Sequence, residues 1–520
     1  MADSTDSVGL GDLAVIADSA GSADLALGID LGTSGVAVVA LGADGAVVAR
    51  AASPLPLATP RPGWTQQNPS DWIAAAESSL RQVAAQLGGR HVAAIGLTGQ
   101  MHGMVAVDAA DEVVTPAILW NDGRTTEQVA HIERVVGSAA VIRRTGNLPV
   151  PGFQLPKVLW LREHEPEAFA RTRHVLFPKD YLGLHLSGRR YAEPTDASGS
   201  GCFELETSSW DTSTLGALDL DPGLWPEIVA SEAIVGELDA RLAARFGLRA
   251  GIPVVAGAGD NAAAAAAQGL TANSAATGGG TAPSLGSVSL GTSGVVQVPV
   301  VAPQPDPKGR VHLFADAFGD YLLLGVTLSA AGSLRWFRDT LAAGRSYHQL
   351  LALAASSPAG ANGVTFVPYL AGERTPHMRA DLRGSLQGLS LATTEGDIVR
   401  AVVEGVAFSL RDALDVMRPL VRSSQAGPSR FLATGGGAAS DLWLETIATL
   451  FRSEVARPLD GDGTAYEVGA AEGAALLAWR GLGVKVALTA PGEQVFTPVA
   501  AHADALEDAY RRYLDLSRRD

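Results

Sequence analysis

The sequence predicts an α/β protein made of two similar halves, and three observations support this prediction. Apolar stretches such as LALGIDL and PVVAGAG alternate with helix-like stretches, which is typical of layered α/β folds. The pentapeptide LGTSG occurs twice, at Leu31–Gly35 and Leu290–Gly294. The 520 residues also exceed what one hydrophobic core usually supports. We therefore predict two large domains, 24–264 and 265–520, with the halves meeting near residues 262–275.

The composition is that of a globular protein, and it argues against several classes of partner. A net charge of −16 disfavours nucleic acid or an anionic membrane as the main partner. Cys202 is the single cysteine, so neither an internal disulfide nor a cysteine-based metal site is expected. Residues 1–23 are acidic and rich in small residues, without the basic start and apolar run of a secretory signal. We expect a disordered acidic tail and a cytoplasmic protein.

The N-terminal half begins with strands and a well-marked helix. LALGIDLGT predicts a buried strand that enters a glycine turn, and GVAVVALGADGAVVARA continues as a meander with its corner at DG. A helix follows in QNPSDWIAAAESSLRQVAAQLG, where Asn68 or Ser70 can cap and Pro69 fits the first turn. HVAAIGLTGQ is the next strand, and PVVAGAGDNAAAAAAQGL is a strand followed by an Ala-rich helix.

The C-terminal half repeats this pattern from the second LGTSG onward. VSLGTSGVVQVPV, HLFADAF and YLLLGVTL predict strands, and a helix is expected from Ser329 to about Leu341. DIVRAVVEGVAFSLRDALDVM predicts a long, largely buried helix, FLATGGGAASDLWLETIATLF a strand, glycine turn and helix, and EVGAAEGAALLAW a further helix. The segment 276–286, ATGGGTAPSLG, is expected to be a surface loop inserted ahead of the second LGTSG.

The two LGTSG copies are predicted to bind phosphate groups. Such turns direct several backbone N–H groups toward one anion, with hydroxyl donors beside them. A simple chain reversal explains one copy, whereas two copies in equivalent positions fit a polyphosphate held from two sides. The residues concerned are Gly32, Thr33 and Ser34 in the first copy, and Gly291, Thr292 and Ser293 in the second.

The residues next to these loops extend the prediction. Asp30 precedes the first copy, where it can hold Mg²⁺ beside the phosphates or cap its own turn. Ser289 stands at the matching position and carries no charge, as expected if one metal needs one carboxylate. A third glycine-rich turn fits either an adenine or ribose lying on the backbone or an ordinary entry into a helix. Its residues are Gly435, Gly436 and Gly437.

Polar residues at other strand ends fit an acceptor that carries hydroxyl groups. Asp260 lies between a strand and an Ala-rich helix, where a carboxylate can accept a hydroxyl proton or cap the helix. LTGQMHG offers an amide, a thioether and an imidazole, and LWNDGR a flat ring with polar groups, although both also fit structural roles. The candidate sugar contacts are Gln100, Met101, His102, Trp120 and Asn121.

Taken together, these motifs resemble those of the FGGY carbohydrate kinases. GIDLGTSGV, GQMHG, PAILWNDGR, AGAGDNAA, SLGTSG, PYLAGERTPH and TGGGA follow that family's order over nearly the whole chain. The resemblance implies two domains of the actin/hexokinase/Hsp70 (ribonuclease H-like) type, the N-terminal one binding sugar and the C-terminal one ATP, with the ligands in the cleft between them. It also implies that Asp260 is the catalytic base, that Asn261 lies beside the substrate, and that Asp30 is the acid associated with the metal.

The same resemblance implies a reaction. MgATP is expected to transfer its γ-phosphoryl group to the terminal hydroxyl of D-xylulose, giving D-xylulose 5-phosphate. Another ketose or polyol, such as ribulose, L-xylulose or glycerol, is the alternative acceptor. A non-catalytic ATP-binding protein of the actin/Hsp70 type is the alternative outside the family, and it should lack Met101, His102 and Asp260. ATP and Mg²⁺ are therefore the expected cofactors and a sugar the expected partner, and the resemblance suggests a homodimer.

Overall fold

The structure is a computed structural model that describes residues 24–272, 284–421, 427–466, 468–488 and 492–518. The predicted tail 1–23 and most of the predicted insertion 276–286 lie outside the described residues. The strands are β1 (Asp24–Leu31), β2 (Gly35–Gly42), β3 (Val47–Pro54), β4 (Gln66–Gln67), β5 (His91–Gly99), β6 (Val105–Val107), β7 (Ala117–Ile118), β8 (His174–Leu176), β9 (Phe203–Glu204), β10 (Ser209–Trp210), β11 (Ile234–Glu237), β12 (Pro253–Gly259), β13 (Leu285–Leu290), β14 (Gly294–Val300), β15 (His312–Ala315), β16 (Tyr321–Thr327), β17 (Thr365–Val367), β18 (Ser385–Gln387), β19 (Arg430–Thr434), β20 (Glu454–Leu459) and β21 (Gly492–Phe496).

The helices connect these strands along the whole described chain. They are α1 (Pro69–Gln86), α2 (Thr126–Val135), α3 (Ser138–Thr145), α4 (Gln154–His164), α5 (Pro166–Arg171), α6 (Pro178–Ser187), α7 (Pro194–Ala197), α8 (Thr212–Ala217), α9 (Ala240–Phe246), α10 (Asp260–Ala267), α11 (Ala331–Leu341), α12 (Tyr347–Ser356), α13 (Glu395–Met417), α14 (Asp441–Phe451), α15 (Ala470–Gly481) and α16 (Ala500–Ser517). Short 3-10 helices occur at Pro222–Leu224, Ala361–Gly363 and Gly436–Ala439. Among the described residues, each helix is too short or too polar to traverse a lipid bilayer.

The described residues form two compact units that do not follow a single boundary in the sequence. The first unit contains the described residues up to Gly269, residues Phe314–Gly319 and residues 468–488. The second holds those within 270–313, 320–466 and 492–518. The predicted ranges 24–264 and 265–520 are contiguous, whereas the first unit takes α15 and residues 314–319 from the later part of the chain.

The sheet of the first unit brings three strand ends to one edge. Its order is β11-β12-β5-β1-β2-β3, and β5 runs parallel to both β1 and β12. Because the carboxyl ends of parallel neighbours lie at the same edge, β1, β5 and β12 end together. The register shows this directly, since Leu31 and Gly259 both pair with Gly99. Residues that follow these three strands are therefore close in space.

The elements predicted for the N-terminal half are confirmed. β2 and β3 are antiparallel, and Gly45 has φ 82° at the DG corner between them. Helix α1 begins at Pro69, and the side chain of Asn68 accepts a hydrogen bond from the Ser70 backbone N–H as its N-cap. A proline fits this first position because its missing N–H would have no partner within the helix.

Helix α15 packs against the sheet of the first unit at backbone distance. A Cβ atom added to Gly28 in β1 would lie 1.9 Å from the carbonyl oxygen of Ala471, and one added to Gly96 in β5 would lie 1.9 Å from that of Ala474. Real Cβ atoms never approach oxygen so closely, so only glycine permits this packing. The helix predicted in EVGAAEGAALLAW thus belongs to the core beneath β1 and β5.

The sheet of the second unit repeats the topology of the first. Strands β16-β14-β13-β19-β20-β21 are consecutive neighbours in it. β13 pairs antiparallel with β14 and parallel with β19, as β1 does with β2 and β5. Both LGTSG copies therefore connect corresponding strands, and the predicted α/β class with repeated halves is confirmed. The helix predicted from Ser329 begins at Ala331, and the long buried helix predicted around DIVRAVVEGVAFSLRDALDVM is α13.

Substitution of Gly96 by alanine is expected to lower the free energy of unfolding by about 2–3 kcal/mol, because the new methyl group would overlap the Ala474 carbonyl and force the helix from the sheet. Gly216 in α8 is the matched control: a Cβ there meets nothing within 4 Å, so alanine should be neutral or stabilise by up to about 1 kcal/mol. Urea-induced unfolding of both variants measures the difference. Equal stability of the two variants would contradict the packing.

Candidate active site

The predicted acceptor-side residues cluster at the shared edge of β1, β5 and β12. Asp30 is the penultimate residue of β1, Gln100 directly follows β5, and Asp260 directly follows β12 as the first residue of α10. The backbone N–H of Gln100 donates a hydrogen bond to the carbonyl of Leu31 at 2.8 Å, which ties the ends of β5 and β1 together. The structure therefore joins residues that are 230 positions apart in the sequence.

Asp260 is a carboxylate held largely away from water. Its Oδ1 accepts hydrogen bonds from the Asn261 backbone N–H at 2.7 Å and from the Asn261 side chain at 3.0 Å. Burial raises the pKa of Asp260 to about 6, although these two hydrogen bonds oppose the shift. The Asn261 amide nitrogen also lies 3.8 Å from the Met101 sulfur, so these three predicted residues form one group.

Asp30 lies in a region of excess negative charge. Burial, followed by the charges of Asp260 and Glu472, raises the pKa of Asp30 to about 7. Its Oδ1 is buried and has no hydrogen-bond partner. Glu472, on α15, makes an ion pair with Arg50 at 2.6 Å. An unpartnered carboxylate oxygen beside two further acids is a suitable ligand for a cation.

The protein alone does not offer a multidentate metal cage here. Within the described ranges, no group of three or more His, Cys, Asp or Glu side chains is arranged to hold a metal ion. A divalent cation at Asp30 would therefore need most of its ligands from water or from a bound phosphate. That arrangement is the usual one for Mg²⁺, which keeps several waters and binds through one or two carboxylates and substrate phosphates.

The first LGTSG turn is held by a hydrogen-bond network centred on Gln67. The Gln67 amide donates to the carbonyls of Thr33 and Pro56 at 2.8 and 2.9 Å. Its oxygen accepts from the Trp72 indole at 2.9 Å and from the Gln100 amide at 3.1 Å. All four hydrogen-bonding positions of the Gln67 side chain are therefore used. These hydrogen bonds fix the turn that contains Gly32, Thr33 and Ser34, because one of them binds the Thr33 carbonyl.

Gln100 and Trp120 both belong to this network. The Thr33 hydroxyl donates to the Gln100 oxygen at 3.1 Å and accepts a hydrogen bond from the Trp120 indole at 3.0 Å. Gln100 is only 1% exposed, whereas Trp120 is 41% exposed. This geometry favours Gln100 as a support for the turn, and it leaves the ring of Trp120 open to a ligand. Asn121 is also exposed, and its side-chain oxygen accepts a hydrogen bond from the Thr65 hydroxyl at 2.7 Å.

His102 is held in a defined orientation at the same edge. It has φ 67°, which is uncommon for a residue with a side chain. Its Nδ1 lies 2.9 Å from the carbonyl of Gly199, so Nδ1 is the protonated nitrogen that donates this bond. The ring contacts Phe153 and Phe314, with centroid distances of 4.9 and 5.7 Å, and these two phenyl rings also contact each other at 6.3 Å. The backbone carbonyl of His102 accepts a hydrogen bond from the buried Lys157 at 2.7 Å.

A separate cavity lies in the second unit and has a volume of about 470 Å³. It is lined by residues of the second LGTSG turn, of α11 and α12, and of the third glycine-rich turn. These include Gly291, Thr292, Arg335, Tyr347, Gly436 and Gly437. The cavity therefore brings together four residues that the sequence predicts to bind ATP. Ser293 lies exposed on the same turn.

Two glycines allow the third glycine-rich turn to lie against the second LGTSG turn. Gly435 has φ 82°, and a Cβ there would lie 2.8 Å from the carbonyl carbon of Leu290. A Cβ added to Gly437 would lie 2.8 Å from the Cβ of Leu290. At Gly436, by contrast, an added Cβ meets nothing within 4 Å, and this residue faces the cavity. The predicted order of strand, glycine turn and helix is confirmed by β19, the 3-10 turn and α14.

Sequence analysis missed two groups of residues that support this edge. Gln67 carried no distinguishing signal, because one glutamine ahead of a helix is an ordinary feature. A buried ionic cluster behind Asp260 was also missed: the fully buried Lys179 lies 3.2 Å from Glu193, 3.9 Å from Asp196 and in contact with Asp180. A sequence shows the charges of such residues but not their burial. Two of these residues, Lys179 and Asp180, are adjacent in the stretch PKDYL at positions 178–182, which by itself does not indicate burial.

Comparison with known protein families gives a clear match. The family model described as "FGGY family of carbohydrate kinases, N-terminal domain" matches residues 25–267, and its C-terminal counterpart matches residues 286–481. A protein named xylulose kinase from Escherichia coli (strain K12) is 38% identical over 454 residues, which cover 87% of this chain and 89% of that protein. Similarity thus extends through both halves.

Comparison with solved structures gives the same fold. A "xyloylose kinase" from Brucella ovis has a TM-score of 0.84 at 36% identity, covering 95% of this chain and 98% of that one. A gluconate kinase from Lactobacillus acidophilus has a TM-score of 0.86 at 25% identity, covering 95% and 97%. Proteins named for different acceptors thus share this fold, so the acceptor must be argued from the site.

Substitution of Gln67 by leucine is expected to lower the free energy of unfolding by about 2–4 kcal/mol, because the buried N–H groups of Trp72 and Gln100 would lose their acceptor. Gln82→Leu on the exposed face of α1 is the control, with an expected change within about 0.5 kcal/mol. Thermal unfolding compares the two. Equal melting temperatures of the two variants would show that the Gln67 network does not stabilise the fold.

Proposed function

Because this chain belongs to the FGGY family of carbohydrate kinases, and is therefore a phosphotransferase, we propose that it transfers the γ-phosphoryl group of ATP to the terminal hydroxyl of D-xylulose. Two findings support this acceptor. Relatives that match both halves of the chain are named for xylulose, and the exposed Trp120, with His102 and Asn261, offers a ring and polar groups suited to a ketose. The observation that carries the proposal is the Asp260 carboxylate at the end of β12, which Asn261 holds through two hydrogen bonds beside the Met101 thioether.

Asp260 is the proposed catalytic base. As the sugar hydroxyl oxygen bonds to the γ-phosphorus, the bond from that phosphorus to the bridging oxygen breaks, ADP departs, and the hydroxyl proton passes to Asp260. A base works best with a pKa near the working pH, and burial brings Asp260 toward that range. The hydrogen bonds from Asn261 both engage Oδ1, which orients the carboxylate.

The proposed sugar contacts differ in what they offer. Met101 is buried against Asn261 and presents its thioether to the C–H face of a sugar. His102 donates through Nδ1 to the protein, so its other ring nitrogen is the one suited to a hydroxyl. Trp120 and Asn121 are exposed at the same edge. Gln100 remains a predicted contact, although its burial favours a supporting role.

Asp30 is the proposed ligand for Mg²⁺. Its unpartnered oxygen and the surrounding acids fit a divalent cation, as described above. When bound, Mg²⁺ would neutralise charge on the phosphate groups of ATP. A bound cation would also keep Asp30 ionised, because it offsets the repulsion from Asp260 and Glu472 that raises the pKa of Asp30.

ATP is proposed to use both LGTSG turns and the third glycine-rich turn. In the second unit, the cavity beside Gly291, Thr292 and Ser293 suits the adenosine part, with Gly435, Gly436 and Gly437 forming its glycine wall. In the first unit, Gly32, Thr33 and Ser34 form the phosphate turn. That the two turns hold one polyphosphate stays a prediction. The cytoplasmic location and the homodimer also stay predictions.

A panel of possible acceptors tests the proposal. The purified protein with MgATP should form ADP with D-xylulose at a kcat/KM well above that for D-ribulose, L-xylulose or glycerol. Asp260→Ala should lower kcat on the order of 10²–10⁴-fold while nucleotide still binds, because only the proton acceptor is lost. Asp44→Ala in an exposed turn is the control and should retain activity. A preference for another acceptor defeats the substrate proposal, and an active Asp260→Ala defeats the base.

The pH dependence of kcat/KM for the sugar should report the Asp260 carboxylate. A base acts only when deprotonated, so the rate should be full well above pH 6 and fall about tenfold per unit below the pKa of about 6. Asn261→Ala removes a hydrogen bond that favours the ionised form, so its acidic limb should move to higher pH. Initial rates measured from about pH 5 to pH 8 show this. A limb that stays in place, or moves to lower pH, would speak against Asp260 as the titrating group.

A further inference from the structure

The strand that leads to Asp260 leaves the regular ladder shortly before it ends. β12 pairs with β5 at Val255↔Gly96 and again at Ala258↔Thr98, with a register shift between these pairs. Two residues of β12 therefore stand opposite one of β5, which is a β-bulge. Bulges interrupt the ladder hydrogen bonds, so the N–H groups at this point need other partners.

Those partners come from outside β5. The N–H groups of Ala256 and Gly257 donate to the carbonyls of Ala233 and Ser231, both at 2.9 Å. The N–H of Gly259, the last one before Asp260, donates instead to a side chain, the hydroxyl of Thr195, at 2.8 Å. The backbone N–H of the residue that precedes the proposed base is thus bound by one hydroxyl group.

The direction of this contact is fixed by a second hydrogen bond. The Thr195 hydroxyl donates its single proton to Oε1 of Glu193 at 2.8 Å, so it can only accept from Gly259. Glu193 itself is fully buried and well supported: Lys179 lies 3.2 Å from Oε1, and the Ser231 hydroxyl donates to Oε2 at 2.9 Å. The backbone N–H groups of Thr195 and Asp196 also donate to this carboxylate.

We infer that Thr195 is a positioning residue for phosphoryl transfer: its hydroxyl connects the buried Lys179–Glu193 ion pair to the Gly259 N–H and thereby fixes where the Asp260 carboxylate stands. The connection runs through bonds with defined donors and acceptors, and it starts from fully buried charges that cannot reorient toward water. Thr195 itself is fully buried behind Gly259, so it acts through Asp260. This inference rests on the proposed role of Asp260.

A position error of about 1 Å in a reacting group lowers a rate strongly, even when the ligands still bind. Loss of the Thr195 hydroxyl should therefore act on kcat and leave sugar affinity nearly unchanged. A residue that only stabilises the fold would lower the fraction of active protein, so kcat is expressed per sugar-binding site counted by calorimetry, and on that basis a purely structural role leaves kcat unchanged. Serine at position 195 retains the hydroxyl and should retain the function.

The test compares Thr195→Val with Thr195→Ser and Ser231→Ala. Thr195→Val keeps the volume but removes the hydroxyl, and its kcat should fall about 10-fold to 100-fold with sugar Kd, from calorimetry, changed less than about threefold. Thr195→Ser should remain within about threefold of the wild-type kcat. Ser231→Ala removes another buried hydroxyl from the same Glu193 carboxylate without touching the Gly259 N–H, so it should keep kcat while losing stability. Thr195→Ala replaces Thr195→Val if the latter does not fold.

Several results would overturn the inference. They are a wild-type kcat in the variant that lacks the hydroxyl, an equal fall in kcat for Ser231→Ala, or no recovery with serine. Hydrogen exchange of the wild-type protein, resolved to single residues by mass spectrometry, adds a test that needs no variant: the Gly259 amide should be protected, and exchange at the rate of an open amide contradicts the bond. The outcome for Asp260→Ala separates the two proposals. If that variant is inactive and Thr195→Val is normal, only this inference fails, whereas an active Asp260→Ala defeats both.

Discussion

The structure of the candidate site depends on buried negative charge that the protein only partly neutralises. The charges of Asp260 and Glu472 both act on Asp30 within the first unit, and Arg50 pairs with Glu472. Burial, followed by the charges of Asp260 and Glu472, raises the pKa of Asp30 to about 7, and burial raises the pKa of Asp260 to about 6 against the two hydrogen bonds from Asn261. The same imbalance makes the site receptive to a cation and supplies a base near neutral pH. One electrostatic arrangement thus serves both proposed roles.

That arrangement needs tight packing and fixed loops. Glu472 reaches the site because α15 lies on the sheet at backbone distance, which the glycines at positions 28 and 96 permit. Near these acids, Gln67 holds the first LGTSG turn through four hydrogen bonds, which use every hydrogen-bonding position of its side chain. Satisfied buried networks are rigid because each lost bond leaves an unpaired group in a water-free region. Rigidity here preserves the positions on which the charge effects depend.

Sequence reasoning succeeded where local patterns carry a physical signal. The cap and first turn of α1, the DG corner and the repeated strand–LGTSG–strand units follow from residue types at fixed spacings. The common edge at which β1, β5 and β12 end could also be predicted from the sequence, because the carboxyl ends of parallel strands lie at the same edge of a sheet. The roles of Gln67, Thr195 and the Lys179 cluster could not be predicted, since they depend on burial and on partners up to 64 positions away in the sequence. The sequence also did not predict that α15 belongs to the first unit, because a hydrophobic pattern does not indicate which sheet a helix covers.

The most direct test of the central claim is a crystal structure with D-xylulose and a non-hydrolysable ATP analogue bound. The terminal hydroxyl oxygen of the sugar should lie within hydrogen-bond reach of an Asp260 carboxylate oxygen, about 2.6–3.2 Å, with the γ-phosphorus on the far side of that oxygen. If the hydroxyl instead faces another side chain, or the sugar binds away from the edge of β1, β5 and β12, the account is contradicted.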